Sequence, residues 1–408
     1  MKADLKPGSF SNVNITLSGS KSESNRLLIL QALFPNLSIE NLSTSDDTQV
    51  LAKGLKATNK VVDVHHAGTA MRFLTAYFAS KQGAEITLTG SPRMQERPIQ
   101  ILVDALKSLG AEIEYLKTPG FPPLKIKGRK LIGNTVKIKA DVSSQYISAL
   151  ILIAPTLPNG LQILLEGNIT SRPYLKMTLS LLQKLGIETE FNENTIYISS
   201  IKRIDDTTIT VESDWSSASY FYSLVSLSKA SKIQLSSFYK NSLQGDSALV
   251  SIYKILGVET HFVNSKSILI SKKDIALPAT LSLDLVNTPD LAQTIAVSCF
   301  GLGMECRLTG LHTLKIKETD RLKALKTELE KLGGEVEIDP NSLHLLKSSR
   351  IISDQAIDTY QDHRMAMAFA PLSLKTNLSI NDAEVVSKSY PDFWKDIEKT
   401  GIIVDLVC

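Results

Sequence analysis

Cysteine is scarce in this chain of 408 residues: Cys299, Cys306 and Cys408 are the whole complement. None is spaced as a C-x-x-C pair, which argues against a structural zinc site, and so sparse and odd a set points to a reducing compartment, the cytoplasm. Long apolar runs are also missing. Stretches such as Ala149–Ala154 are far too short to span a bilayer, and the polar N-terminal stretch lacks the apolar core of a signal peptide. Charge of one sign is lacking as well, since 45 Lys and Arg against 42 Asp and Glu leave +3. That excess is too small for a nucleic-acid coat, and no basic run is interleaved with aromatic residues. Low-complexity segments and long linkers are absent. What remains is the composition of an ordinary globular protein, 43% hydrophobic and 21% charged, long enough for two or more domains with proper cores.

The clearest organising signal is a repeat. Leu109-Gly-Ala-Glu, Leu185-Gly-Ile-Glu, Leu256-Gly-Val-Glu and Leu332-Gly-Gly-Glu each follow an amphipathic helical pattern and lead into an alternating strand. Their glycines, Gly110, Gly186, Gly257 and Gly333, are 76, 71 and 76 residues apart. Gly401 fits as a degenerate fifth copy and Gly54 as a sixth. A unit this long is not a solenoid repeat; it reads as a small α/β subdomain used about six times. Crossings between two domains are expected near Leu17–Ser20 and Val211–Trp215, giving one domain from 1–18 with 214–408 and a second from 19–213.

Chemistry collects at the predicted helix starts. In Lys315-Ile-Lys-Glu-Thr-Asp-Arg-Leu322, Lys317 and Arg321 stand at the head of a helix whose apolar face is Leu322, Leu325, Leu329 and Leu332. Two cations four apart repel each other and the positive end of the helix dipole. An anion between them removes the conflict. Gly19-Ser-Lys-Ser-Glu-Ser-Asn-Arg26 has Ser20 and Glu23 in capping-box spacing beside Lys21, Ser22 and Arg26. His66-Ala-Gly-Thr-Ala-Met-Arg72, Ser143-Ser-Gln-Tyr146 and Asp362-His-Arg364 head three more helices. Taken singly, each is an ordinary capped helix. Capping does not explain the recurring cation, because lysine and arginine favour the opposite helix end. Arg93 and Arg97 in a polar loop, and Lys388 ahead of Tyr390-Pro391, add cations without a helix start. Asp290, after Pro289, stands where an N-cap aspartate is common.

Together these segments resemble the enolpyruvyl transferase family, in the branch whose acceptor is shikimate 3-phosphate. The matching pieces are GSKSESNR from Gly19, AGTAMR from Ala67, PRMQERPI from Pro92, SSQY from Ser143, SRPY from Ser171, PDLAQT from Pro289, KETDRL from Lys317, DHRMAMAF from Asp362 and SKSYPDF from Ser387. KETDR and DHRMAM are specific; SRPY and SSQY are not. The resemblance implies an α/β fold of two domains, each of three βαβαββ units in an inside-out α/β barrel, with an interdomain active-site cleft that closes on its substrates. It implies transfer of the enolpyruvyl group of phosphoenolpyruvate to the 5-hydroxyl of shikimate 3-phosphate, on the shikimate pathway to chorismate and the aromatic amino acids, and inhibition by glyphosate. No cofactor and no metal are implied. The partners are the two small substrates, with no nucleic acid or membrane, and the chain is expected to be monomeric.

By the same resemblance, Lys21, Gly68, Arg97, Gln145, Arg321, Arg364 and Lys388 surround phosphoenolpyruvate. Lys21, Ser22, Arg26, Ser143, Ser144, Ser171, Tyr174, Asp290 and Lys317 hold shikimate 3-phosphate. Each substrate carries a carboxylate and a phosphate, so so many cations have a purpose. Asp290 is assigned as the base on the attacking hydroxyl and Glu318 as the acid toward the methylene carbon, with Lys21 the alternative donor. Two positions depart from the family pattern: His66 replaces the usual asparagine before Ala67, and Thr313 replaces an asparagine four residues before Lys317. His65 and His66 have no third ligand at metal-site spacing. Two rivals are a sister transferase that uses a mobile-loop cysteine, where none of the three cysteines fits, and an inactive anion-binding protein on the same fold, which the presence of Asp290, Glu318 and Lys21 disfavours.

Overall fold

A computed structural model describes residues 1–57, 60–264, 266–348 and 350–407; Cys408 lies outside them. Two compact units emerge, Met1–Gly19 with Glu212–Cys408 and Ser20–Val211. The boundaries differ from the sequence expectation by Gly19, Glu212 and Ser213. Local bonding is the reason: Gly19 bridges to Ser213, the Ser213 hydroxyl donates to the Leu17 carbonyl at 2.7 Å, and Glu212 accepts from Trp215 Nε1 at 2.8 Å.

The repeated unit is visible in the sheets. In Ser20–Val211, strands Val61–Asp63 and Glu85–Thr89 run parallel with the helix Gly68–Ser80 between them in sequence. The helix Gln100–Ser108 follows, and the hairpin Glu112–Tyr115 with Leu124–Lys127 completes an antiparallel edge. This is a βαβαββ unit. Thr135–Lys139, Leu161–Glu166, Thr195–Ile198 and Thr189–Asn192 form a second sheet of the same order, while Leu37–Glu40 pairs, among the described residues, only with Thr207–Thr210. The other unit holds three four-stranded copies, opening with Asn12–Ile15, Thr280–Asp284 and Gln355–Ile357. In the last copy an antiparallel pair from the two ends of the chain, Ile403–Val407 against Lys2–Lys6, takes the place of the hairpin.

Alternation makes these strands one-sided. Thr135–Lys139 buries Val136 and Ile138 and exposes its threonine and lysines. The capping glycines are all left-handed, with φ of 104° at Gly110, 77° at Gly186, 79° at Gly257, 93° at Gly333 and 74° at Gly401. That conformation costs glycine nothing and ends each helix where the strand must turn away. Gly54 corrects the sequence reading. It lies inside the helix Asp46–Leu55, where an added Cβ would meet the Leu74 side chain at 2.6 Å; it is a close-packing residue in the copy that keeps only two strands.

Helices buried on nearly every side occupy the middle of each unit. In Ser20–Val211 these are Gly68–Ser80 and Ser144–Ile153, which pack on each other. In the other unit they are Trp215–Leu227, Ala292–Gly301 and His363–Phe369. Small polar residues let the inner helices approach while staying satisfied, as where Ser219 meets Thr294 at 3.2 Å and Ser298 donates to Ser223 at 2.8 Å. Gly68, Ser143, Ser144, Gln145, Asp290 and Arg364 lie at or just before the starts of these inner helices.

Candidate active site

In the unit containing both chain ends, one cluster gathers the sequence-predicted residues Asp290, Lys317, Glu318, Arg321, Arg364 and Lys388. Asp320 caps the helix Arg321–Lys331, accepting from Lys323 N at 3.3 Å, so Arg321 is its first residue. Arg321 is 2% exposed and donates to three carboxylates: Asp362 at 2.7 Å, Asp290 at 2.8 Å and Glu318 at 2.9 Å. Burial works against its charge, but Asp362, Glu318 and Asp290 more than offset this and hold its pKa above the ordinary value. The anion anticipated beside Lys317 and Arg321 is thus supplied within the protein.

Asp290 lies in the single helical turn Pro289–Leu291. It does not cap a helix. Its carboxylate takes Arg321 at 2.8 Å and Arg364 at 3.1 Å, with Lys317 Nζ at 3.5 Å. Burial pushes the Asp290 carboxyl up, yet Arg364, Lys317 and Arg321 together hold it well below the usual carboxylate range. Glu318 bridges Arg321 and Lys388, accepting from Lys388 Nζ at 2.8 Å. Lys388, at the end of the helical turns Ala383–Lys388, is 3% exposed. Thr313 is buried too, and its hydroxyl has no protein partner among the described residues.

Sequence reasoning missed Asp362 as a site residue. Fully buried, it caps the helix His363–Phe369 by accepting from Arg364 N at 2.9 Å and pairs with Arg321 through its other oxygen. One carboxylate therefore fixes the places of both arginines. Its signal was legible only as an N-cap.

In Ser20–Val211, Lys21 opens the helix Lys21–Leu33, capped by Ser20, and lies 3.3 Å from Asp47 Oδ2. Asp47, 3% exposed, was not anticipated. Arg26 is buried, donating to the Ser22 carbonyl at 2.8 Å, Thr178 at 2.7 Å, Ser148 at 3.1 Å and the Tyr174 carbonyl at 3.4 Å. Burial lowers its pKa to about 10, which leaves it charged. It ties Ser22 to Tyr174 and lies 5.8 Å from the centre of the Tyr174 ring. Ser171 precedes the helix Arg172–Lys184 in a left-handed conformation, φ 54°.

A second group in the same unit surrounds Gly68. Ser143 caps the helix Ser144–Ile153, and Gln145 donates to Thr69 at 3.2 Å. An added Cβ on Gly68 would meet Arg97 Nη1 at 2.6 Å, so the absence of a side chain is what lets the guanidinium lie on the backbone. Arg97 is 8% exposed and its Nε has no protein partner among the described residues. Arg72, also missed as a site residue, donates to the Gly68 carbonyl at 3.2 Å and the Pro98 carbonyl at 3.1 Å. His66 is exposed on the turn before Gly68. No group of metal-binding side chains is present among the described residues.

The profile of the EPSP synthase (3-phosphoshikimate 1-carboxyvinyltransferase) family matches residues 53–397. The chain belongs to this family. It is 47% identical over 392 residues to the 3-phosphoshikimate 1-carboxyvinyltransferase of Bacteroides fragilis strain YCH46, covering 95% of both chains. It is 35% identical over 430 residues to that of Colwellia psychrerythraea, covering 97% of this chain and 99% of the relative. The EPSP synthase of Acinetobacter baumannii has the same fold, with a TM-score of 0.78 at 20% identity, over 99% of this chain and all of the other. The cysteine-using alternative finds no support, since Cys299 and Cys306 are both fully buried.

Proposed function

We propose that this chain transfers the enolpyruvyl group of phosphoenolpyruvate to the 5-hydroxyl of shikimate 3-phosphate, releasing phosphate. Family membership supports the reaction, and the cluster of Asp290 and Glu318 among Lys317, Arg321, Arg364 and Lys388 is the observation that carries its assignment to residues. Lys21, Gly68, Arg97, Gln145, Arg321, Arg364 and Lys388 bind phosphoenolpyruvate. Lys21, Ser22, Arg26, Ser143, Ser144, Ser171, Tyr174, Asp290 and Lys317 bind shikimate 3-phosphate.

Asp290 accepts the proton of the 5-hydroxyl as its oxygen bonds to C2 of phosphoenolpyruvate, while Glu318 protonates the methylene carbon. A tetrahedral intermediate results. Glu318, now a carboxylate, takes back a proton from the methyl carbon as Asp290 returns its proton to the departing phosphate, which restores the double bond. Without substrates, Asp290 is too tightly paired to be a strong base and both Glu318 oxygens accept from cations. Anionic substrates that engage Arg321, Arg364, Lys317 and Lys388 loosen these pairs, so binding activates the acid and base together. Lys21 is the alternative proton donor to Glu318. Among the described residues no helix is long and apolar enough to cross a membrane, and the protein acts as a cytoplasmic monomer. The test is phosphate release from purified protein. Release is expected only with both substrates, and release from phosphoenolpyruvate alone, or none, would overturn the assignment.

A further inference from the structure

Behind Arg364 lies a carboxyl group that the reaction scheme does not use. Asp246, in the helical turn Gly245–Ala248, is 2% exposed. Its Oδ2 accepts the hydroxyl proton of Ser216, and Oδ1 has no protein partner among the described residues. Ser216 Oγ in turn accepts from Arg364 Nη2 at 3.3 Å, and the same nitrogen donates to Asp290 Oδ2 at 3.1 Å. The direction of this relay is forced. Arginine only donates, so the one Ser216 proton must point away from it, toward Asp246.

Glu212, a buried carboxylate four residues before Ser216, shows what a purely structural group looks like here. It takes donors from Trp215, Tyr239, Ser242 and Gln244. Asp246 takes one hydroxyl and leaves an oxygen bare, which is costly unless its charge has a use.

We propose that Asp246 and Ser216 are positioning residues that hold Arg364 away from full collapse onto Asp290 and keep it oriented for phosphoenolpyruvate. The inference rests on the reading of Arg364 as a phosphoenolpyruvate ligand. Without the relay, Arg364 closes on Asp290, so the substrate loses a cation and Asp290 is drawn into a tighter pair. The groups facing Asp246 are Ser216 and Asp214 at the start of the helix Trp215–Leu227, Asp290 from the Pro289–Leu291 turn and Arg364 from the helix His363–Phe369. Burial raises its pKa to about 6, against the pull of Arg364. As pH falls through that value the carboxylate is protonated and its hold on the relay weakens.

Steady-state kinetics of Ser216→Ala, Asp246→Asn and the double variant test this. Each single change should raise KM for phosphoenolpyruvate about tenfold and that for shikimate 3-phosphate less than about twofold, with the double variant no worse than the poorer single one, because the pair acts as a unit. Ser216→Thr, which keeps the hydroxyl, should restore wild-type KM. The ratio of wild-type to Asp246→Asn kcat/KM, in which titration of the substrate phosphate cancels, should fall from about tenfold at pH 8 to about threefold at pH 5.5. An unchanged or lowered KM for phosphoenolpyruvate, equal effects on both substrates, or additive effects in the double variant would overturn the proposal. If Asp246→Asn does not fold, Ser216→Ala and Ser216→Thr decide it alone. Arg364→Ala separates the two levels of failure. A large effect there with silent Ser216→Ala and Asp246→Asn removes only this inference, whereas an unchanged KM removes the reading of Arg364 and this inference with it.

Discussion

At Arg321 a guanidinium has been taken out of water and surrounded by Asp290, Glu318 and Asp362. Burying one such pair is expensive, and breaking it is worse, since the remaining charge keeps its desolvation cost. Asp362 is the completely buried member, and its two oxygens serve both the cap and the pair. Asp362→Asn keeps a capping oxygen but removes the charge. It is expected to lower stability by about 3 kcal/mol, read from the midpoint of urea unfolding, and to lower kcat/KM as Arg321 shifts toward Asp290 and Glu318. A change below about 0.5 kcal/mol would show that Arg321 is held equally well without it.

Among the helices and strands, glycines do two different jobs that a sequence pattern alone runs together. At Gly186 the backbone is left-handed and the space beside it is open. Gly186→Ala should therefore cost about 1 kcal/mol of stability through strain, with catalysis unchanged. At Gly68 the opposite holds, because an added Cβ meets the movable end of Arg97. Gly68→Ala should leave the unfolding midpoint nearly unchanged and raise KM for phosphoenolpyruvate about tenfold as Arg97 is displaced. The comparison is made by measuring unfolding and kinetics on both variants. The same distinction explains Gly54, which shares the spacing of the capping glycines but serves close helix packing.

Across the whole molecule, one unit is a continuous stretch and the other is assembled from both chain ends. Lys2–Lys6 lies between Leu378–Ile380 and Ile403–Val407, with Ala3 and Leu5 fully buried in the core. Removing residues 1–6 takes the central strand from that sheet and leaves two edges unpaired. The truncated protein is expected to lose cooperative unfolding of this unit while Ser20–Val211 keeps its own transition, resolved by calorimetry or limited proteolysis. Loss of both transitions together would mean that the two units unfold as one.

The sequence by itself determined the repeat, the helix starts at Ser20, Ser143 and Asp362, the family and its reaction, because these signals join residues a few positions apart or recur as contiguous motifs. Which carboxylate meets which cation was decided only by the tertiary structure. Arg321 meets Asp362 across 41 residues, Arg364 meets Asp290 across 74, and Arg364 meets Ser216 across 148. No local pattern encodes such pairings; they exist because the inner helices pack with their small polar faces together and bring distant helix starts to one place. That is also why Asp290 reads as a cap in the chain and as a triply paired carboxylate in the fold, why Arg72 reads only as one more cation near a helix start, and why Asp47, Ser216 and Asp246 carried no signal before the elements around them were assembled.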